Sequence, residues 1–312
     1  MDSLNCDNCK YCNDTAMVCH EGEKSYHYQD FPYPTSIIED NYKKTCQTAC
    51  VSLLLFPQII EHNKSLRHLS IVNMSNHALR STLGCIKRSN TLTSLSIRGT
   101  KKLNPKILRR IMKIIKVNPN IEAFGIHVNK IDNFGMQIIA NEIKTNISLR
   151  YLTLSENRLT KNGVDYLAET LKHNTTLQSL DLGLNYFSGS KLFTIFNVNN
   201  SLRELDFSES DINVGDLYAL SLSMKHNASL QSINLNNSHI DTSDVIKFLL
   251  YNPSITHVDV RDDNRIIREI IHSHSCRLKR MPALFTKICE RENSMFSDDS
   301  DSENNDGSWW SD

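Results

Sequence analysis

Long apolar runs are missing from this 312-residue chain. The longest, Val51–Phe56, is interrupted by Ser52, and no segment approaches the roughly 20 apolar residues of a membrane span. The N-terminus, Met1-Asp2-Ser3-Leu4-Asn5-Cys6, has neither a basic start nor an apolar stretch, so a secretory signal is not expected. Nine cysteines, an odd number, then point to a reducing, intracellular compartment, with the cytoplasm expected. Glycine (10) and proline (7) are scarce. Net charge is also missing, because 35 basic residues balance 35 acidic ones. No nucleophile elbow, Gly-rich phosphate loop, His-Glu-x-x-His or dinucleotide fingerprint occurs, which argues against an enzyme and against a small-molecule substrate. The length suits two ordinary domains or one elongated repeat domain.

Internal repetition decides between them. The pattern Leu-x-x-Leu-x-Leu runs through Leu66-Leu69-Ile71, Leu92-Leu95-Ile97, Ile121-Phe124-Ile126 and Leu149-Leu152-Leu154. It continues through Leu177-Leu180-Leu182, Leu202-Leu205-Phe207, Leu230-Ile233-Leu235 and Ile255-Val258-Val260. The eight starts are 26, 29, 28, 28, 25, 28 and 25 residues apart. Alternation over the last anchors predicts a half-buried strand. The helical spacing that follows, as in Val164, Leu167, Ala168 and Leu171, predicts one helix per unit. Three residues before the first anchor stands Asn63, Asn118, Asn146, Asn174, Asn199, Asn227 or Asn252, with Ser89 in the one departing unit. Asparagine tolerates the left-handed conformation, so these positions are expected to turn helix into strand. Several read Asn-x-Ser/Thr, but a glycan at each such turn would be hard to place between stacked units.

The run Leu149-Arg150-Tyr151-Leu152-Thr153-Leu154-Ser155-Glu156-Asn157-Arg158-Leu159, followed by Gly163 and Leu167, resembles the leucine-rich repeat family, in its long, ribonuclease-inhibitor-like class. The unit from Leu177 to Phe187, with Asn185, is similar, whereas Met74, Thr100, Ser210, Ser238 and Asp263 replace the usual turn asparagine elsewhere. The resemblance implies an α/β fold: a right-handed solenoid, or horseshoe, with a parallel sheet on its concave face and helices on its convex face. About eight units are expected over 64–264, between a helical cap at 45–63 and another at 265–296, where Arg265–Ile271 and Pro282–Glu290 read as helices. Residues 297–312 read as a disordered acidic tail.

The first segment, 1–44, carries Cys6-x2-Cys9-x2-Cys12-x6-Cys19. Thiolates at this spacing suit a tetrahedral Zn²⁺, while an unordered reduced tail, an iron–sulfur cluster or disulfides are the other readings. His272, His274 and Cys276 alternate within the expected C-terminal cap and read as a solvated turn rather than a metal site.

Acidic residues are absent between Glu61 and Glu122, where thirteen basic ones stand. Lys106, Arg109, Arg110, Lys113 and Lys116 occupy the outward side of an expected helix at Pro105–Lys116. The tail is the opposite: Asp298, Asp299, Asp301, Glu303, Asp306 and Asp312 with no base, flanking Trp309-Trp310 as a candidate docking motif. On the concave face the outward residues include Arg67, Arg98 and Tyr151 early, then Asp181, Glu204, Asp206 and Asp259. The readings of this basic surface are a solvated face, an acidic protein partner, an anionic membrane surface and RNA, of which RNA is disfavoured because aromatics for base stacking are missing from the region. Lys101-Lys102 and Arg109-Arg110 leave a nuclear location as the alternative. The expected function is a non-catalytic protein-binding scaffold or adaptor. Two alternatives are a small-GTPase regulator like the Ran activators, suggested by the acidic tail, and an actin-capping protein like the tropomodulins.

Overall fold

The structure, a computed structural model, describes residues 16–20 as backbone, 66–100, 102–260 and 265–275. Among the described residues, nine strands form one parallel sheet in sequence order. They are β1 (Ala16–His20), β2 (His68–Val72), β3 (Ser94–Arg98), β4 (Ala123–His127), β5 (Tyr151–Thr153), β6 (Ser179–Asp181), β7 (Glu204–Asp206), β8 (Ser232–Asn234) and β9 (His257–Asp259). At about 4.8 Å per step the sheet is roughly 38 Å across. The helices that return the chain are α1 (Asn76–Arg88), α2 (Pro105–Val117), α3 (Asn133–Ile143), α4 (Lys161–Leu171), α5 (Val214–Ser223), α6 (Thr242–Tyr251) and α7 (Arg265–Ser275).

The strand anchors line up across the sheet as Leu69, Leu95, Phe124, Leu152, Leu180, Leu205, Ile233 and Val258. All but Val258 are buried, and they meet the inward helix stripes in one continuous core. In α2 that stripe is Ile107, Leu108, Ile111, Met112, Ile114 and Ile115; Asn104 caps the helix by accepting from the Lys106 N–H, and Pro105 opens it. Between β6 and β7 the return is a 3-10 helix, Lys191–Asn197, instead of an α-helix. This unit is one of the two shortest, and large rings fill its interior: Phe187, Phe193 and Phe207 contact one another at centroid distances of 5.5 to 6.3 Å.

Several expectations need correction. β1 lies outside the eight units: it carries no Leu-x-x-Leu-x-Leu signature, yet it pairs in parallel with β2, Met17 opposite Leu69 and Cys19 opposite Ile71. The helix at the far end runs to Ser275, so His272 is an exposed helical residue and not part of a turn. The 45–63 cap, the Pro282–Glu290 helix and the tail lie outside the described residues.

The repeated asparagines also act differently from expectation. Asn63 lies outside the described residues, and none of the other six adopts the left-handed conformation. Asn146, Asn174, Asn199 and Asn227 are buried, and each Oδ1 accepts from the N–H groups two and three residues ahead. From the next unit, Nδ2 of Asn174, Asn199 and Asn227 donates back to carbonyls of the preceding repeat. The side chain therefore joins neighbouring units, and its amide is already committed. The left-handed residue sits elsewhere, seven places after the first anchor: Asn73, Gly99, Val128, Glu156, Leu184, Glu209 and Asn237. At Gly99 a Cβ would run into Asn73 Oδ1. Val128 is β-branched with φ 59°, an arrangement that costs on the order of 1 kcal/mol or more. Val128→Asn should therefore raise stability by about 1 kcal/mol in urea unfolding, since Asn73 and Asn237 hold the same place. An unchanged or lower midpoint would mean that the valine side chain repays its strain by packing.

Candidate functional site

Two outward rows define the concave face. One runs His68, Ser94, Ala123, Tyr151, Ser179, Glu204, Ser232, His257; the other runs Ser70, Ser96, Gly125, Thr153, Asp181, Asp206, Asn234, Asp259. In the second row Ser96 and Thr153 are buried, Asp181, Asp206 and Asn234 are half-buried, and Asp259 is exposed. Ser70 at the β2 end is half-buried as well, and from β5 onward access to solvent increases toward β9, where the carboxylates stand.

Beyond the strand ends, an open cavity of about 270 Å³ is lined by Arg98, His127, Thr153, Ser155, Glu156, Asp181, Asp206 and Ser208, among others. Asp181 and Asp206 are direct register partners on β6 and β7. The Gly183 N–H donates to Asp181 Oδ1 at 2.9 Å, and the Ser208 N–H and hydroxyl donate to Asp206 Oδ1 at 2.8 and 2.6 Å. Asn234 Nδ2 donates to Asp206 Oδ2 at 2.8 Å. A small residue is needed at Gly183, because a Cβ there would lie 2.8 Å from Ser208 Oγ. Burial first, and then the facing Asp206 carboxylate, push the Asp181 carboxyl up to about 7.

The opposite wall carries the Arg98–Glu156 ion pair and His127. Arg98 ends β3 beside His127 and lies 3.7 Å from Glu156. Burial lowers the Arg98 pKa, and Glu156 partly restores it. His127 is buried, with Nε2 3.3 Å from Ser96 Oγ; desolvation, reinforced by Arg98, lowers its pKa to about 4. At the other row, burial pushes the Glu204 carboxyl up against the pull of Ser179 and His257, and its Oε2 is buried without a hydrogen-bond partner among the described residues. Tyr151, in the same row, is raised chiefly by burial and then by Glu204 and Glu122.

The structure therefore brings together Arg98, Tyr151, Asp181, Glu204 and Asp206 on one face, with Asp259 further along it. Arg67 is a correction: it precedes β2, is exposed, and aligns with the margin that holds Thr93 and Glu122 rather than with the outward rows. Lys106, Arg109, Arg110, Lys113 and Lys116 are all exposed on the convex α2, away from the concave sheet. Cys19 lies in β1, while Cys6, Cys9 and Cys12, like Trp309 and Trp310, lie outside the described residues. Among the described residues no group of three or more His, Cys, Asp or Glu could hold a metal. Sequence reasoning missed His127 and Glu156. His127 follows Gly125 by two, the next outward position, and that alternation was the available signal. Glu156 is presented by its left-handed backbone, which alternation does not report.

A leucine-rich repeat family model matches residues 145–168 and 173–189, the two units whose turns carry Asn157 and Asn185. The strand-and-return architecture repeats in register on both sides of that stretch. The chain is a leucine-rich repeat protein. No curated protein matches it in sequence. Among solved structures it is similar to leiomodin-1 actin-binding site 2, at 14% identity and a TM-score of 0.33, over 68% of this chain and 95% of that one. No helix among the described residues of this repeat protein is long and apolar enough to cross a membrane.

Proposed function

We propose that this leucine-rich repeat protein is a non-catalytic scaffold whose concave face binds a cationic segment of another protein. The observation that carries the reading is the in-register pair Asp181 and Asp206, on the solvent-open half of the face that also holds Glu204 and Asp259. Their fixed oxygens are oriented by backbone donors, so no side-chain ordering is left to be done on binding. A lysine or arginine entering the cavity would face Asp181 and Asp206 while Arg98, on the opposite wall, disfavours a purely basic stretch on that side; a bipolar segment fits both. Repeat spacings of 25 to 29 residues with helical returns support the ribonuclease-inhibitor-like class.

Affinity capture with the wild-type chain and Asp181→Asn/Asp206→Asn, read by quantitative mass spectrometry, tests this. Partners with basic segments should fall about tenfold in recovery with the double variant, the equivalent of roughly 1.4 kcal/mol. Equal recovery from both proteins would remove the concave carboxylates from the binding surface. Stimulated GTP hydrolysis in a panel of small GTPases would move the assignment to the activator reading instead.

A further inference from the structure

The convex side carries a second charged surface that the concave reading does not use. Arg80 and Lys87 on α1, and Lys106, Arg109, Arg110 and Lys113 on α2, are all exposed. None of the six forms an ion pair among the described residues; Lys116, beside them, is bound to Glu142 at 3.1 Å. Because no acidic residue occurs between Glu61 and Glu122, the two neighbouring helices have no internal compensation. An apolar element adjoins the charges: Phe134, at the start of α3, is 50% exposed and lies under the Arg109 guanidinium, 5.5 Å from ring centroid to Cζ.

The chain itself contains a matching ligand. Residues 1–296 hold 35 basic and 29 acidic side chains, an excess of six positive charges, and residues 297–312 hold six acids and no base. The same sixteen residues include Trp309 and Trp310, whose rings suit an arginine–phenylalanine surface. Twenty-one residues separate Ser275 from Ser297, enough for roughly 70 Å of extended chain. The convex path from α7 back to α2 crosses six helical steps of about 8–10 Å, or about 50–60 Å. We propose that residues 297–312 dock in cis on the basic convex face of α1 and α2, with Trp309 and Trp310 against Arg109 and Phe134, so that the tail occupies this surface until an acidic partner displaces it.

The two tryptophans of the tail are the only two in the chain, so intrinsic tryptophan fluorescence of the full-length protein reports on the tail alone. At low salt the emission should be blue-shifted and acrylamide quenching about threefold weaker than in Arg109→Glu/Arg110→Glu/Lys113→Glu. Raising salt to about 0.5 M, where the screening length falls to roughly 4 Å, should bring wild type to the behaviour of the variant. The substituted side chains are exposed, and far-UV circular dichroism of the variant should match wild type. Water-exposed emission from the wild type at low salt, or identical quenching in both proteins, would overturn the proposal. A blue shift that fades on dilution would also overturn it, since the tail of a second copy would then be the occupant.

Discussion

Replacing Asn185 by alanine should lower the stability of the repeat domain by about 3 kcal/mol. The side chain is fully buried, and Nδ2 donates to the carbonyls of Leu154, Leu182 and Gly183 at 3.0, 2.9 and 3.2 Å while Oδ1 accepts from the Leu159 N–H at 3.2 Å. One amide thus ties the end of its own strand to the preceding repeat. Asn157 does the same toward Ile126 and Leu154 and accepts from Asn129 and Ile131; Asn129 reaches Ile97 and accepts from Thr100. Alanine removes these partners together and leaves buried carbonyls and an N–H without water, each costing about 1–3 kcal/mol with incomplete additivity. Serine should cost less, because Ser210 at the equivalent place already reaches the Leu182 carbonyl at 3.2 Å. Aspartate should cost more, because it sets an acceptor against three carbonyls. Urea midpoints measured at constant m-value check the order. A loss below about 1 kcal/mol for alanine would show that the ladder is not a coupled element.

That ladder also explains how far the fold could be read from residues alone. The anchors Leu149, Leu152 and Leu154 are legible because a strand facing a core must alternate, and a solenoid must repeat the alternation at constant spacing. The role of Asn174 or Asn199 is not. Asparagine is equally suited to a left-handed backbone and to an Asx turn, and only the neighbouring repeat's carbonyls decide between them. β1 was missed for a related reason. Ala16, Met17 and Val18 make a weak strand by themselves, and what selects it is the unpaired edge of β2, supplied by residues about fifty places later.

The site was legible where it follows strand periodicity and hidden where it follows the turn. Asp181 and Asp206 fall at the same outward position of successive units, so their adjacency follows from register. Arg67 was misplaced because periodicity gives a side and not the strand's first residue. Glu156 reaches Arg98 across two repeats only through a backbone turn with φ 52°, a conformation no side-chain pattern reports.

The cavity should also give the protein two opposing dependences on pH. Asp181, with a carboxyl held at about 7 rather than its ordinary 3.8, binds its proton more tightly when folded. Its contribution therefore favours the fold at low pH and is lost as pH rises from about 4 to 7. His127, at about 4 rather than 6.5, binds its proton less tightly when folded, so its contribution is lost as pH falls from about 6.5 to 4. In that shared window the slopes have opposite signs, and the wild-type stability contributed by this pair should be nearly flat. Asp181→Asn should unmask the histidine: the variant should be more stable than wild type at pH 7.5 by about 2 kcal/mol, allowing for water on the open side of the cavity, and should weaken by a similar amount toward pH 4. His127→Gln should show the reverse, losing stability as pH rises from 4 to 7. Unfolding free energies from urea titrations at half-unit pH intervals separate the two curves. Parallel profiles for wild type and Asp181→Asn would mean that the carboxyl titrates as it does in the unfolded chain. A cation seated between Asp181 and Asp206 would favour the ionised carboxylate, so partner affinity should rise with pH through 7, and Asp181→Asn should abolish that rise.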